Sequence, residues 1–248
     1  MIDRTIMRLT VRQLLGQKRT LLMLGFALLP VLIALLFRLN GDHSENDPQE
    51  WTAKVALASL VVGLTLPFTA LVFGTAALGQ EFEDGTAVYL LSKPIPRTTI
   101  VLSKLLVAWL ATCVVVLIAT IPTGFLALSG EPGDGIVIAF AVAVVAGALI
   151  YCSAFLWLSI ATSRALIAGL LYVFIWEGVV VNLFRGVRIF SVRQYTLGIA
   201  GQLSDVPKRV FDPRLEGPQA IILGAVVTVL AVYLAFRALK RWEIGEAS

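Results

Sequence analysis

Long, almost uncharged runs of apolar residues constrain the fold of this chain more than any other feature. The six longest runs predict membrane spans at about residues 20–37, 55–80, 102–128, 136–162, 165–184 and 219–238. Each is near the length of about 17–25 residues that crosses the hydrocarbon core as a helix. Hydrophobic residues fill 58% of the 248 positions and charged residues only 15%, a ratio that a water-soluble surface does not permit. We therefore expect one membrane domain, residues 1–248.

The spans are expected to be helices rather than strands of a barrel. Their runs are continuous and rich in Leu, Ala and Val, whereas barrel strands alternate apolar and polar residues over about ten positions. The sequence thus predicts an all-α polytopic protein with six transmembrane helices. Nineteen residues precede the first span, and no small-x-small cleavage pattern follows it, so we expect that span to remain in the mature protein.

The basic residues indicate the orientation. An even number of spans places both termini on one side, and that side receives twelve of the twenty Lys and Arg residues. Six of the other eight lie in one segment, residues 185–218, against the usual bias. The charges before the first span carry most weight, so we expect cytoplasmic termini. The basic residues, which give the chain a net charge of +4, lie mostly beside span ends. This position favours contact with lipid headgroups over contact with nucleic acid.

Two short amphipathic helices are predicted outside the spans. Arg4, Arg8 and Arg12 recur every four residues at the N-terminus and predict an interfacial helix along the inner leaflet. That helix either anchors the first span or also transmits motion. In residues 185–218, apolar residues recur at roughly helical spacing after Ser191, a plausible N-cap. We expect this segment to form a helix at the extracytoplasmic surface before the sixth span.

The connection between the second and third spans is compact and charged. An acidic cluster ends one helix, Gly85 and Thr86 begin a short new one, and Pro94 and Pro96 impose an extended exit. Val88, Leu90 and Leu91 are costly to expose on such a connection. They are expected to pack either against a protein partner or against the ends of this chain's own helices.

Catalytic, metal-binding and cofactor-binding motifs are absent from the sequence. It has no phosphate-binding loop of the form GxxxxGK(S/T) and no HExxH, and its single histidine, His43, lies in a polar loop. Cys113 and Cys152 fall inside spans, where small apolar packing is their expected role. We therefore expect no catalytic residue, no metal site and no cofactor in this chain, and any ATP hydrolysis must belong to a partner.

Glu177 is the ionisable residue placed deepest within a span. Its burial costs about 2–4 kcal/mol unless water or a hydrogen bond donor compensates the charge. With Trp176 and Asn182 it forms a candidate for the translocation pathway. The alternative is a glutamate hydrogen-bonded between helices, and the sequence does not separate the two.

These features together resemble the permease subunits of type-2 ABC exporters (ABC-2 type transporter permeases). The specific part of the resemblance is the run Gly85-Thr86…Leu90-Leu91-Ser92-x-Pro94-Ile95-x-Arg97, with Lys104 at the start of the third span. The resemblance implies a cytosolic coupling helix at residues 86–92, which docks on a separate ATP-binding subunit. The implied docking residues, including the flanks, are Glu81, Glu83, Gly85, Thr86, Val88, Tyr89, Leu90, Leu91, Ser92, Pro94 and Arg97.

The resemblance also implies an assembly and a location. Two permeases, as a homodimer, would pair with two cytosolic ABC ATPase subunits, which hold the ATP and Mg²⁺. Substrate would cross the cytoplasmic membrane of a prokaryote by alternating access. Two other functions remain open at this point: a membrane-embedded enzyme that acts on lipid through Glu177, and a non-transporting scaffold that recruits a cytosolic partner.

Overall fold

The computed structural model describes residues 4–15, 18–39, 47–83, 85, 96–128, 133, 135–204 and 207–245. The described residues are mostly helical and contain no strand. Six helices are long and apolar enough to cross a membrane. The predicted all-α fold with six transmembrane helices is therefore confirmed.

The helices follow one another along the chain in a simple order. The first three are α1 (Arg4–Leu15), α2 (Lys18–Leu39) and α3, which combines the segments Pro48–Trp51, Thr52–Thr65 and Leu66–Glu83. They are followed by α4 (Arg97–Leu128), α5 (Ile136–Ala161) and α6, which combines Ala165–Leu171, Tyr172–Val180 and Val181–Leu183. A short 3₁₀ helix (Arg185–Phe190), α7 (Val192–Leu203) and α8 (Gly217–Gly245) complete the described chain. The six candidate spans are α2, α3, α4, α5, α6 and α8.

The helix that contains the second predicted span begins before residue 55, where its apolar run begins. α3 begins at Pro48, and the Asp47 side chain caps it by accepting a hydrogen bond from the Gln49 backbone N–H at 3.0 Å. Lys54 then lies within the helix, where its Nζ donates to Glu50 Oε1 at 2.5 Å. A long charged side chain near a helix end can extend to the membrane–water interface. The position of Lys54 in the sequence therefore does not mark the end of the helix.

Three helices form the core, and three lie at its periphery. The most apolar windows of α3, α4 and α5 are 61%, 50% and 67% buried, whereas those of α2, α6 and α8 are each only 22% buried. α5 packs against α3, α4, α7 and α8, and α2 packs mainly against α4. The peripheral helices therefore present apolar faces that only lipid or another protein can cover.

Two of the spans contain widened, π-helical turns. They cover Thr52–Thr65 in α3 and Tyr172–Val180 in α6. In the first, hydroxyls follow the i→i−5 spacing: Thr65 Oγ1 donates to the Leu60 carbonyl at 3.1 Å. The return to α-helical geometry at Leu66 comes one residue before Pro67, which has no backbone N–H to donate. Pro30 and Pro122 also lie inside helices, in α2 and α4.

α7 packs against both α5 and α8, which also contact each other. The predicted cap, Ser191, accepts a hydrogen bond from the Gln194 backbone N–H at 3.2 Å. Eight of the twelve residues in α7 are buried, which is deeper than a helix lying on a surface would be. Close approach to α5 occurs at Gly147, where a Cβ atom would lie 2.4 Å from Thr196 Oγ1. The absence of a side chain at Gly147 therefore makes room for α7.

The helices of the bundle end on two sides, called here the termini side and the far side. Because successive spans alternate in direction, one side, the termini side, holds α1, the end of α3, the start of α4, residues 161–165 and the end of α8. The ends of α2 and α6, the start of α3 and the connection before α8 share the other, the far side.

Substitution of Gly147 tests the packing of α7 on α5. Gly147→Ala should lower the free energy of unfolding by about 1–3 kcal/mol, because its methyl group would overlap Thr196 and Leu66. The matched control is Gly25→Ala in α2, where an added Cβ meets no atom within 4 Å. Thermal unfolding of the purified variants measures the difference. Equal melting temperatures for both variants would contradict this packing.

Candidate functional site

Two buried polar clusters lie at opposite ends of the bundle. On the termini side, Lys104 of α4 reaches α3, where its Nζ lies 2.6 Å from Glu81 Oε1 and donates to the Ala77 carbonyl at 2.7 Å. The side chains of Lys104 and Glu81 are only 1% and 14% exposed. This ion pair joins the last turns of α3 to the beginning of α4.

The ion pair stands at the base of the connection between α3 and α4. A buried charge whose partner is removed costs several kcal/mol, so the two helices are held together where the chain leaves and re-enters the bundle. Glu81, predicted as a docking residue, therefore has an internal partner. Gly85 follows with φ of +67°, the left-handed conformation that suits glycine at the end of a helix.

The other predicted docking residues are less completely placed. Arg97 is half-buried at the first position of α4. The side chain of Glu83 and all of Thr86, Val88, Tyr89, Leu90, Leu91, Ser92 and Pro94 lie outside the described residues. The docking role of residues 86–92 stays a prediction.

On the far side, Glu177 of α6 is 5% exposed and accepts hydrogen bonds from three hydroxyl groups. Oε1 accepts from Tyr172 at 3.0 Å and from Tyr151 of α5 at 3.3 Å. Oε2 accepts from Ser191 at 2.5 Å. The carboxylate therefore joins α5 and α6 to the residue that caps α7.

Backbone groups of α7 complete the shell around Glu177. Oε1 also accepts from the backbone N–H groups of Val192 at 2.9 Å and Arg193 at 3.4 Å. These N–H groups at a helix N-terminus have no partner within their helix and carry partial positive charge, so a carboxylate is stabilised there. Five donors thus compensate the buried charge, which favours the glutamate hydrogen-bonded between helices over an open site on a substrate route.

The two predicted neighbours of Glu177 are bound elsewhere. Trp176 Nε1 donates to the Phe190 carbonyl at 3.3 Å, and Asn182 is exposed, with Nδ2 donating to the Gly178 carbonyl at 2.8 Å. Sequence reasoning missed Tyr151 and Tyr172 as partners. The five-residue spacing of Tyr172 and Glu177 is a local signal once the wide turn is known, whereas nothing in the sequence indicates Tyr151.

α1 packs on the bundle at the termini side. Thr10 and Leu14 are buried, and Thr20 Oγ1 donates a hydrogen bond to the Leu14 carbonyl. Arg8 is exposed on another face, and the side chains of Arg4 and Arg12 lie outside the described residues. α1 therefore has a protein-facing side, which the predicted interfacial helix did not include.

Metal ligands do not cluster in the described ranges. They hold no group of three or more His, Cys, Asp or Glu side chains that could bind a metal ion. Both cysteines are free and buried, and Cys152 Sγ lies 3.2 Å from Thr112 Oγ1. They occupy packing positions.

A family comparison decides what kind of membrane protein carries these clusters. The family model described as ABC-2 family transporter protein matches residues 4–241. The chain belongs to the ABC-2 transporter family. This ABC-2 permease is thus a multi-pass membrane protein and a membrane subunit of an ABC transporter. A search of curated proteins finds no match for it.

Breaking the ion pair of this ABC-2 permease should destabilise it. Lys104→Met leaves the Glu81 carboxylate without its ammonium partner, and we expect a loss of about 3–5 kcal/mol in unfolding free energy. The double variant Lys104→Met with Glu81→Gln should recover most of that loss, because no unpaired charge remains. Thermal unfolding in detergent measures both. A double variant no more stable than the single one would show that the two charges are not coupled.

Substitution of Glu177 separates the two interpretations of that residue. Glu177→Gln replaces one accepting carboxylate oxygen by an NH₂ group, which itself donates and faces groups that also donate. The substitution should therefore lower the free energy of unfolding by about 1–3 kcal/mol and reduce the amount of folded permease. Transport per folded molecule should change little. The check is to measure transport and melting temperature on the same preparation. Lost transport at an unchanged melting temperature would instead place Glu177 on the substrate route.

Proposed function

We propose that the chain is the permease of an ATP-driven exporter and pairs with a separate, cytosolic ATP-binding subunit. The observation that carries this proposal is the family match over residues 4–241 of a chain with six candidate spans. The sequence holds no phosphate-binding loop with which it could bind ATP. ATP and Mg²⁺ would therefore be held by the partner.

The ATP-binding subunit would dock on residues 86–92. Support comes from the apolar side chains of Val88, Leu90 and Leu91 within a short connection between two spans. Further support comes from the Lys104–Glu81 ion pair, which links α3 and α4 at the base of that connection. A displacement of residues 86–92 would then move both helices together, and α3 is among the most buried spans.

The permease would act as a homodimer with two ATP-binding subunits. The apolar faces of α2, α6 and α8, each mostly exposed in one chain, leave area for a second copy as well as for lipid. Substrate would pass along the interface between the two copies. ATP binding would favour one of two conformations that differ in their affinity for substrate, so transport requires no catalytic residue in this chain.

The same proposal includes an orientation. The termini would lie in the cytoplasm of a prokaryotic cell, because the termini side carries twelve of the twenty basic residues and residues 86–92 must meet a cytosolic partner. α1 would then contact the inner leaflet through its exposed face, which includes Arg8 and Leu9. The direction of transport, export, rests on the resemblance alone.

A double substitution tests the docking. Leu90→Asp with Leu91→Asp should abolish co-purification of the ATP-binding subunit, because two charges would enter an apolar contact. The control is Thr98→Asp, an exposed position on the same side but outside residues 86–92. The measurement is the amount of ATP-binding subunit retained by each purified permease. Docking at residues 86–92 is wrong if the double variant retains as much partner as the control.

Reconstitution distinguishes transport from scaffolding. Vesicles that contain the permease and its ATP-binding subunit should accumulate or release a substrate only when ATP is supplied. Steady ATP hydrolysis without movement of any tested solute would favour the scaffold function.

A further inference from the structure

A cavity of about 170 Å³ on the far side lies beside the Glu177 cluster, because Arg193, whose backbone N–H donates to Glu177, also lines the cavity. Four segments distant in sequence line it: the first turns of α3, the end of α6, the first turns of α7 and residues 211–214. Three lining residues are basic, Lys54, Arg193 and Arg214, and one is acidic, Asp212. The fold thus gathers part of the positive charge that the sequence places unexpectedly on this side.

Much of this positive charge is not neutralised by the protein. Arg214 is exposed and makes no ion pair with the residues that the structure describes. Lys54 pairs with Glu50, but both side chains are about half exposed, at 47% and 49%, and such a pair is easily exchanged for another partner. Arg193 Nη2 donates to the Ala58 carbonyl at 3.3 Å, whereas its buried Nε has no partner in the described structure.

A buried acceptor lies beside these cations. Gln194 lines the cavity, is 5% exposed, and its Oε1 has no hydrogen bond partner in the described structure. Buried polar atoms in folded proteins are nearly always paired, because an unpaired one is costly. A ligand that donates a hydrogen bond to this amide would satisfy it.

The cavity is too large for a single water molecule. A single water molecule needs a cavity of only about 10–15 Å³. The volume of about 170 Å³ therefore leaves room for a group of several atoms. Guanidinium and ammonium groups suit phosphate oxygens. The basic side chains therefore suit a phosphate group, and the unsatisfied Gln194 Oε1 suits a hydrogen bond donor close to that phosphate.

We propose that this cavity binds a phosphate group that carries a neighbouring hydrogen bond donor. Two sources share that chemistry: hydrogen phosphate in solution, and a phospholipid whose headgroup ends in an amine or hydroxyl. In both, the phosphate contacts Arg193 and Arg214 and the donor faces Gln194. The site does not depend on the docking of an ATP-binding subunit, so it can be tested on the permease alone.

The experiment measures thermal unfolding of the purified full-length permease during two titrations. One uses sodium phosphate against sodium chloride at equal ionic strength. The other compares short-chain phosphatidylethanolamine with phosphatidylcholine, which have the same net charge, although only the first has a headgroup donor. Arg214→Gln, at an exposed position, should lower the affinity for the stabilising ligand about tenfold, which corresponds to about 1.4 kcal/mol of binding free energy. Lys54→Gln should act in the same direction.

Lys208→Gln is the matched control, because Lys208 is exposed in the same connection but does not line the cavity. Stabilisation by phosphate that weakens in Arg214→Gln and not in the control supports a site for the free ion. Stabilisation by phosphatidylethanolamine alone, with the same dependence on Arg214, supports a lipid headgroup. No stabilisation by either probe, or equal weakening in Lys208→Gln, would overturn the proposal. Equal stabilisation by both lipids would overturn the role of Gln194.

Discussion

The Glu177 carboxylate accounts for much of the arrangement on the far side of the bundle. A charge inside a membrane protein has to be compensated by the protein itself, and here the donors come from α5, α6 and the start of α7. α7 cannot leave the bundle without exposing this carboxylate. Its packing on α5 also needs the close approach at Gly147, so charge compensation and packing act on the same short helix.

The Lys104–Glu81 ion pair plays the corresponding part on the termini side. It holds α3 and α4 together where residues 84–95 connect them. Between the two clusters, α3 is continuous, although its far half is widened into π-helical turns. Wide turns are less regular than an α-helix and often occur at functional positions. If an ATP-binding subunit docks on residues 86–92 as proposed, α3 is the element through which their displacement would reach the far side.

The sequence was sufficient for the features that depend on local composition. Apolar runs predicted the six spans, and Ser191 predicted the start of α7. Contacts between distant residues were beyond it: no local pattern pairs Tyr151 with Glu177, or brings Arg193 and Arg214 to one cavity. α3 extends beyond the predicted apolar run to Pro48 because Lys54 lies within the helix and pairs with Glu50 one turn earlier, a pairing that uncharged runs do not reveal.

The proposed function requires residues 86–92 to contact an ATP-binding protein. The most direct test of this contact is photo-crosslinking in cells from a photoreactive amino acid at Tyr89, with the same amino acid at Ile222 as control, an exposed apolar position on α8. We expect Tyr89 to yield a crosslink to a protein with a phosphate-binding loop and Ile222 to yield none. A crosslink from Tyr89 only to the permease itself would contradict the account, because residues 86–92 would then pack on the ends of the chain's own helices.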